Sequence, residues 1–288
     1  MKKSRKLILV VFICLFTLVF PTTVYADMGP KDKLKVYVKN PPNEQYYLDL
    51  LTQDENRYNY IKDDERAILN ADMINLLYSY ENDGWKPALV EGTKMPMWGN
   101  LTGEPYENGF AHEFRYSGVP ETYRIIIVTE SGKVSVSDIY TRKALQSSVT
   151  YDYATNQAKA PSIWISYLIQ FLTTCIPTLI IEGIILILFG YKLKENYKVL
   201  LVVNIITQIA LTMTLGTTLI IYGSLAAYFV QFPVELIILI VEACIYYKYL
   251  KGRSVKRNCF YGVVANLASW LIGFLMISYQ YHMIVGLM

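Results

Sequence analysis

Three carboxylates, Glu182, Glu235 and Glu242, stand inside sequence that is otherwise apolar, and three amides, Asn204, Gln208 and Asn266, stand in neighbouring apolar stretches. A carboxylate in hydrocarbon is costly, so each must be protonated, paired, or turned toward an interior cavity. Three kinds of chemistry suit such a set. Interhelical hydrogen bonds among these groups would hold a helical bundle together, each contributing about 0.6 kcal/mol in a membrane. A proton, ion or small-ligand site between the helices would use the carboxylates for their charge. An intramembrane hydrolase would use a pair such as Glu182 and Glu242, but no histidine, nucleophile motif or metal-ligand spacing accompanies them.

The rest of the composition argues against catalysis. His112 and His282 are the two histidines of the chain, and its four cysteines, Cys14, Cys175, Cys244 and Cys259, all lie in or beside hydrophobic segments. A zinc site has no ligand cluster to draw on, and residues 27 to 161 have no disulfide framework. No enzyme and no cofactor are expected.

The elements that must position the polar set are membrane helices. The chain is 53% hydrophobic with a mean hydropathy of +0.26, too apolar for an ordinary soluble domain, and the excess follows Pro161 in blocks at 163–191, 199–247 and 258–278. The middle block is too long for one span. Dividing it at about 199–221 and 225–247 puts the basic clusters 192–198 and 248–257 on one side, which the positive-inside rule makes cytoplasmic. Counting from those ends at about 1.5 Å per residue, Glu182, Asn204, Gln208, Glu242 and Asn266 fall roughly 9 to 15 Å deep, so all four spans feed one polar layer. Glu235, seven residues before Glu242 on nearly the same face, extends it outward. Pro177 and Pro233 mark kinks, and no inverted repeat supports a transporter fold.

Ahead of the membrane half, residues 1–26 read as a signal peptide: Lys2, Lys3, Arg5 and Lys6, the apolar run Leu7 to Phe20, then Val24-Tyr25-Ala26. An uncleaved anchor is the alternative. Residues 27–161 carry 20 acidic and 15 basic side chains and read as one α+β domain outside the membrane. Leu34, Val36 and Val38 alternate with lysines and Tyr37 as a half-buried strand does. Asp63, Asp64 and Glu65 open a helix whose apolar positions are Ile68, Ala71, Ile74 and Leu77, ending before Asn82-Asp83-Gly84. Residues 84–122 predict loops and short strands packed by aromatics. Tyr123–Glu130 and Lys133–Asp138 predict a hairpin across Ser131-Gly132, and a further strand follows at Val149–Tyr153 before a linker at 154–161. His112 with Glu113 reads as a surface pair, and Asn100-Leu101-Thr102 matches a glycosylation triplet. Trp85, Trp98, Tyr106, Phe110, Phe114 and Tyr116 read as packing, or as the lining of a ligand groove.

On the motifs Ala26-Asp27-Met28-Gly29-Pro30-Lys31, Tyr46-Tyr47 with Leu50-Leu51, Asn204 with Thr207-Gln208, and Glu235, Glu242 and Tyr246, the chain resembles a group of uncharacterised membrane proteins of Gram-positive bacteria. Asp32 stands where that group carries proline. The resemblance implies a signal peptide, an external domain and a C-terminal helical bundle, in that order, and implies no activity. The expectation is therefore an α+β extracellular domain (27–161) followed by an α-helical four-span transmembrane bundle (162–288), with domain and C-terminus outside the cell membrane. Its partners are the lipid bilayer and an extracellular ligand or membrane protein, not nucleic acid. Small-transporter or channel chemistry at the carboxylate layer is the competing reading.

Overall fold

Alternation of lysine with leucine and valine forms strand β1 (Lys33–Lys39) in the computed structural model, which describes residues 29–55, 57–58, 61, 68–107 and 109–288. Leu34, Val36 and Val38 are buried, and the lysines face outward. The elements that follow are β2 (Tyr46–Thr52), α1 (Ala71–Tyr78), β3 (Lys86–Pro87), β4 (Trp98–Gly99), β5 (Glu104–Tyr106), β6 (Gly109–Arg115), β7 (Thr122–Thr129), β8 (Val134–Val136), β9 (Tyr140–Thr141), β10 (Gln146–Asp152) and β11 (Gln157–Lys159). One sheet has the order β11-β10-β1-β6-β4 with β5 beside β6, and β1 lies parallel to β10 with Val36 opposite Val149. The other has the order β3-β2-β7-β8 with β9 beside β7. A single core takes Val36 and Val149 from the first sheet, Leu48 and Ile127 from the second, and Met73 and Leu77 from α1. The region is sheet-rich, with one short helix.

Helix α1 is opened by Asn70, whose side-chain oxygen accepts from the Asp72 and Met73 amides at 3.0 and 3.3 Å. The expected start at Asp63, Asp64 and Glu65, and the expected signal peptide, lie outside the described residues. The hairpin forms as read, with Gly132 at φ 84° in its turn. Strand β2, for which the sequence offered no reading, is buried on both faces and so shows no alternation. β6 lies in the stretch read as loops and short strands, where a histidine, His112, occupies one of its inward positions.

The membrane half consists of α2 (Ile163–Leu188), α3 (Leu193–Leu211), a π-helical turn (Thr212–Gly216), α4 (Thr217–Tyr249) and α5 (Val255–Val285). Three helical stretches are long and apolar enough to cross a membrane: Ile163–Leu188, Leu193–Tyr249 and Val255–Val285. The four separate spans expected from the sequence thus appear as three, because the second stretch, 57 residues long, holds no loop. Its only break is Gly223, at φ 82° and ψ −177°. Contacts between Asn196 and Lys251, Asn204 and Tyr246, and Thr207 and Glu242 join residues nearly equidistant from Gly223, so the two arms lie antiparallel.

The two ends of the bundle differ. At one end the loops meet: Arg253 donates twice to the Gly190 carbonyl, and Asn196 bonds both backbone groups of Lys251. At the other, the sheet-rich region is seated on the helices. The Leu145 amide donates to the Ile220 carbonyl at 2.9 Å and the Ser148 amide to the Met288 carbonyl at 2.5 Å, while Ala144 joins a core with Leu215, Leu219 and Ile277. Arg142 fastens this junction. Its guanidinium, 8% exposed, binds Asp32 at 2.7 Å and the carbonyls of Val119, Pro120, Ala144 and Leu145.

Candidate functional site

Ser166, Gln170, Thr174, Thr178 and Glu182 follow one another at four-residue spacing along α2, and all five are buried. Four residues is close to one helical turn, so they make one polar ridge about 24 Å long from Ser166 to Glu182. Ile176, Ile180 and Ile184 point the other way and are exposed. In a hydrocarbon solvent this inside-out arrangement is favourable, since lipid tails are as apolar as isoleucine and the ridge meets polar groups of neighbouring helices.

At the deep end of the ridge the expected layer assembles. The Glu182 Oε2 accepts from Asn204 Nδ2 at 2.8 Å and from the Tyr246 hydroxyl at 2.9 Å, and Asn204 Nδ2 lies 3.0 Å from the same hydroxyl. Glu242 accepts from Thr207 at 2.6 Å through Oε1 and from Asn266 Nδ2 at 3.0 Å through Oε2. Tyr261 donates to the Glu182 backbone carbonyl at 3.2 Å. Each of α2, α3, α4 and α5 contributes at least one group. Glu182 and Glu242 are 0% and 1% exposed. No known protein family, curated protein or solved structure matches this chain. Function must therefore be argued from the site.

Of the six residues singled out from the sequence, Glu182, Asn204, Glu242 and Asn266 come together. Gln208 lies one turn further out, its Nε2 3.5 Å from the Thr178 hydroxyl. Glu235 stands apart. It borders a small cavity of about 20 Å³ walled by α2, the end of α3 with the π-helical turn, α4 and α5, together with Gln231 and Gln280. Sequence reading missed Gln170, Gln231 and Gln280, which are 0%, 1% and 2% exposed, and Tyr261; it singled out Tyr246 only as a motif residue, not as the bridge to Glu182. The four-residue spacing of the α2 ridge was the signal available for Gln170. Gln231 stands four residues before Glu235, a signal of the same kind, whereas Gln280 has no polar companion at that spacing.

Among the described residues, twelve buried side-chain polar atoms lack a hydrogen-bond partner, and all twelve belong to the bundle. They include both amide atoms of Gln170 and Gln280, Gln231 Oε1, Gln208 Oε1 and Glu182 Oε1. Buried polar groups are normally hydrogen-bonded, so these atoms are the part of the bundle most in need of a polar partner. Space is set aside for them: a methyl group on Gly216, in the π-helical turn, would lie 3.2 Å from Gln170 Oε1, and one on Gly273 would lie 3.3 Å from Gln231 Nε2. π-Helical turns recur at functional sites.

In the sheet-rich region the expectation for His112 is corrected. It is fully buried, with Nδ1 3.1 Å from the Asn100 carbonyl and Nε2 3.3 Å from the Tyr46 hydroxyl. Burial holds its imidazole down at about 4. Asp49, also buried, is pushed up to about 7 by desolvation, against backbone amides of Leu50, Leu89 and Val90 that favour the ionised form. The aromatics do not form one groove: Trp85 and Phe114 are core, whereas Trp98 and Tyr106 are exposed. Asn100 uses its side-chain oxygen to accept from Thr102 and Gly103 in a local turn.

One open cleft stands out. It encloses about 1360 Å³ between the outward face of β1 and the end of α5, and Lys33, Lys35, Lys39, Tyr37, Tyr106 and Ser148 line it. Lys35 lies 5.3 and 5.9 Å over the rings of Tyr37 and Tyr106. None of the three lysines forms an ion pair among the described residues.

Proposed function

We propose that this is a multi-pass membrane protein whose external domain binds an anionic, phosphate-bearing envelope ligand in the β1 cleft, with the helical bundle as its anchor and relay. The observation that carries this reading is the cleft itself. Residues 27–161 have a net charge of −5 by residue count, yet three lysines share one face of one strand and open beside the end of the bundle. A lysine near an anionic surface contributes about 1 kcal/mol, and Tyr37 and Tyr106 offer flat apolar contact beside the charges.

The topology that goes with this reading has four crossings, Leu193–Tyr249 turning back at Gly223. The basic loops at 192–198 and 248–257 then face the cytoplasm, and the sheet-rich domain faces outward, in agreement with the positive-inside rule. The resemblance to Gram-positive membrane proteins fits the same order of domains. A small transporter or channel subunit is the second reading, favoured by the Glu182 and Glu242 pair. The donors crowded around both carboxylates, and the distance of the large cleft from them, support an anchoring layer instead.

Titration of the purified full-length chain with short-chain phosphatidylglycerol and with inorganic phosphate tests the proposal. Replacing Lys33, Lys35 and Lys39 together by glutamine should remove about 3 kcal/mol of binding, a loss of roughly 100-fold in affinity. Wild-type binding should weaken as salt is raised. Equal affinity in wild type and triple variant, or affinity indifferent to salt, would sink it.

A further inference from the structure

The outer half of the bundle contains more buried polar chemistry than its protein partners satisfy. Gln280 has both amide atoms unpaired, Gln231 its Oε1, and Glu235 borders the same cavity. The cavity offers about 20 Å³ to water centres, and about 10–15 Å³ suffices for one molecule. A water also needs two to four polar partners, and Gln231, Glu235, Gln280 and Thr174 line this space. Other unpaired atoms lie elsewhere in the bundle. Ser166 Oγ and the Tyr281 hydroxyl lie toward the sheet-rich end, and Gln208 Oε1 and Glu182 Oε1 toward the carboxylate layer.

We propose that the cavity between Gln231, Glu235 and Gln280 is a water site, occupied by a bound water that pairs with the unsatisfied polar atoms of Gln231 and Gln280. The ligand class is water or the hydrated proton, not a larger solute, because the cavity admits about one such molecule. This goes beyond the ligand cleft and stands whether or not the cleft binds phosphate. It gives Glu235, the one of the three intramembrane glutamates outside the Glu182 and Glu242 layer, a role: its carboxylate borders the water site. The glycines follow from the same design. Gly216 and Gly273 leave the room that Gln170 and Gln231 need to point inward.

X-ray hydroxyl-radical footprinting of the full-length protein in lipid nanodiscs reads bound water directly, because radicals form where water sits. Two methionines provide an internal comparison. Met276 borders the cavity, whereas Met213 lies on the outside of the bundle, 65% exposed toward lipid. Faster oxidation of Met276 than of Met213, with modification of Tyr281, is the expected result. Loss of Met276 labelling in Gln280→Leu is the second expected result, and Gln231→Met serves if that variant does not accumulate. Met276 labelled no faster than Met213 in the wild-type protein means a dry bundle and overturns the proposal. Unchanged Met276 labelling in the variants also overturns it.

Discussion

Replacing Gly223 by alanine tests how the two halves of the molecule are joined. Gly223 adopts φ 82° and ψ −177°, a region essentially reserved for glycine, where another residue costs about 1–3 kcal/mol. The added methyl would also lie 2.4 Å from Pro30 Cγ and 3.0 Å from Leu145 Cδ2. The proline ring cannot rotate away, so the junction must open or the hairpin tip must shift, at a further cost of about 1–3 kcal/mol. Two control variants separate these terms. Gly132→Ala carries the backbone penalty alone, since its φ is 84° with nothing within 4 Å of the new methyl, and should cost about 1–2 kcal/mol. Gly183→Ala lies in regular helix with Leu200 Cδ2 at an easy 3.8 Å, and alanine there should be neutral or stabilising by about 0.5–1 kcal/mol. Thermal unfolding of the purified full-length chain, followed by intrinsic fluorescence, should rank the three in that order. At about 2–4 °C per kcal/mol, Gly223→Ala should lower Tm by on the order of 5–15 °C. If Gly223→Ala costs no more than Gly132→Ala, the contact of Pro30 and Leu145 with the hairpin tip does not clamp the domain to the bundle, and the relay through it is lost.

Two further outcomes follow from buried groups. The folded His112 imidazole sits at about 4, below about 6.5 in an unfolded chain. Its contribution to stability is therefore complete above about pH 6.5 and is lost as pH falls toward 4, at about 1.4 kcal/mol per pH unit. The difference in hydrogen-exchange protection of β2 and β6 amides between wild type and His112→Asn should shrink over that window. Asp49 titrates with the opposite sign, but it is common to both proteins and cancels from the difference. In the membrane layer, Glu182→Gln should be mild, within about 1 kcal/mol, because Oε1 has no partner and can be exchanged for an amide while Oε2 keeps Asn204 and Tyr246. Asn204→Leu strips a donor from a buried carboxylate and should cost about 1.5–3 kcal/mol. Chemical denaturation in detergent compares them, and equal losses would show that the layer does not depend on these bonds.

Much of this architecture was legible in the residues. Lysine alternation from Lys33 to Lys39 gave β1, the Ser131-Gly132 turn gave its hairpin, and the placement of Glu182, Asn204, Glu242 and Asn266 gave a polar layer whose members do meet. Such features depend on local period and on distance along a helix, which sequence spacing carries directly. Strand β2 was not legible, because burial on both faces removes the alternation on which strand reading relies, and β6 was legible only as part of a stretch of loops and short strands, because an inward histidine interrupts its apolar face.

The amino-acid sequence alone determined that the chain divides into a polar front and an apolar back, and that carboxylates stand where lipid or other helices must surround them. Tertiary structure alone decided the rest. Charge parity placed a division of the 57-residue apolar stretch near residues 221–225, but that the chain reverses at Gly223 alone, without a loop, is decided by the tertiary structure. Gln231 and Gln280 meet from two helices at one cavity, and Lys33, Lys35 and Lys39 come to face the end of a helix that begins more than two hundred residues later. Sequence spacing fixes which side of its own helix or strand a residue occupies, whereas the neighbour that side meets depends on how separate elements pack. That packing set Glu235 apart from the layer its spacing suggested.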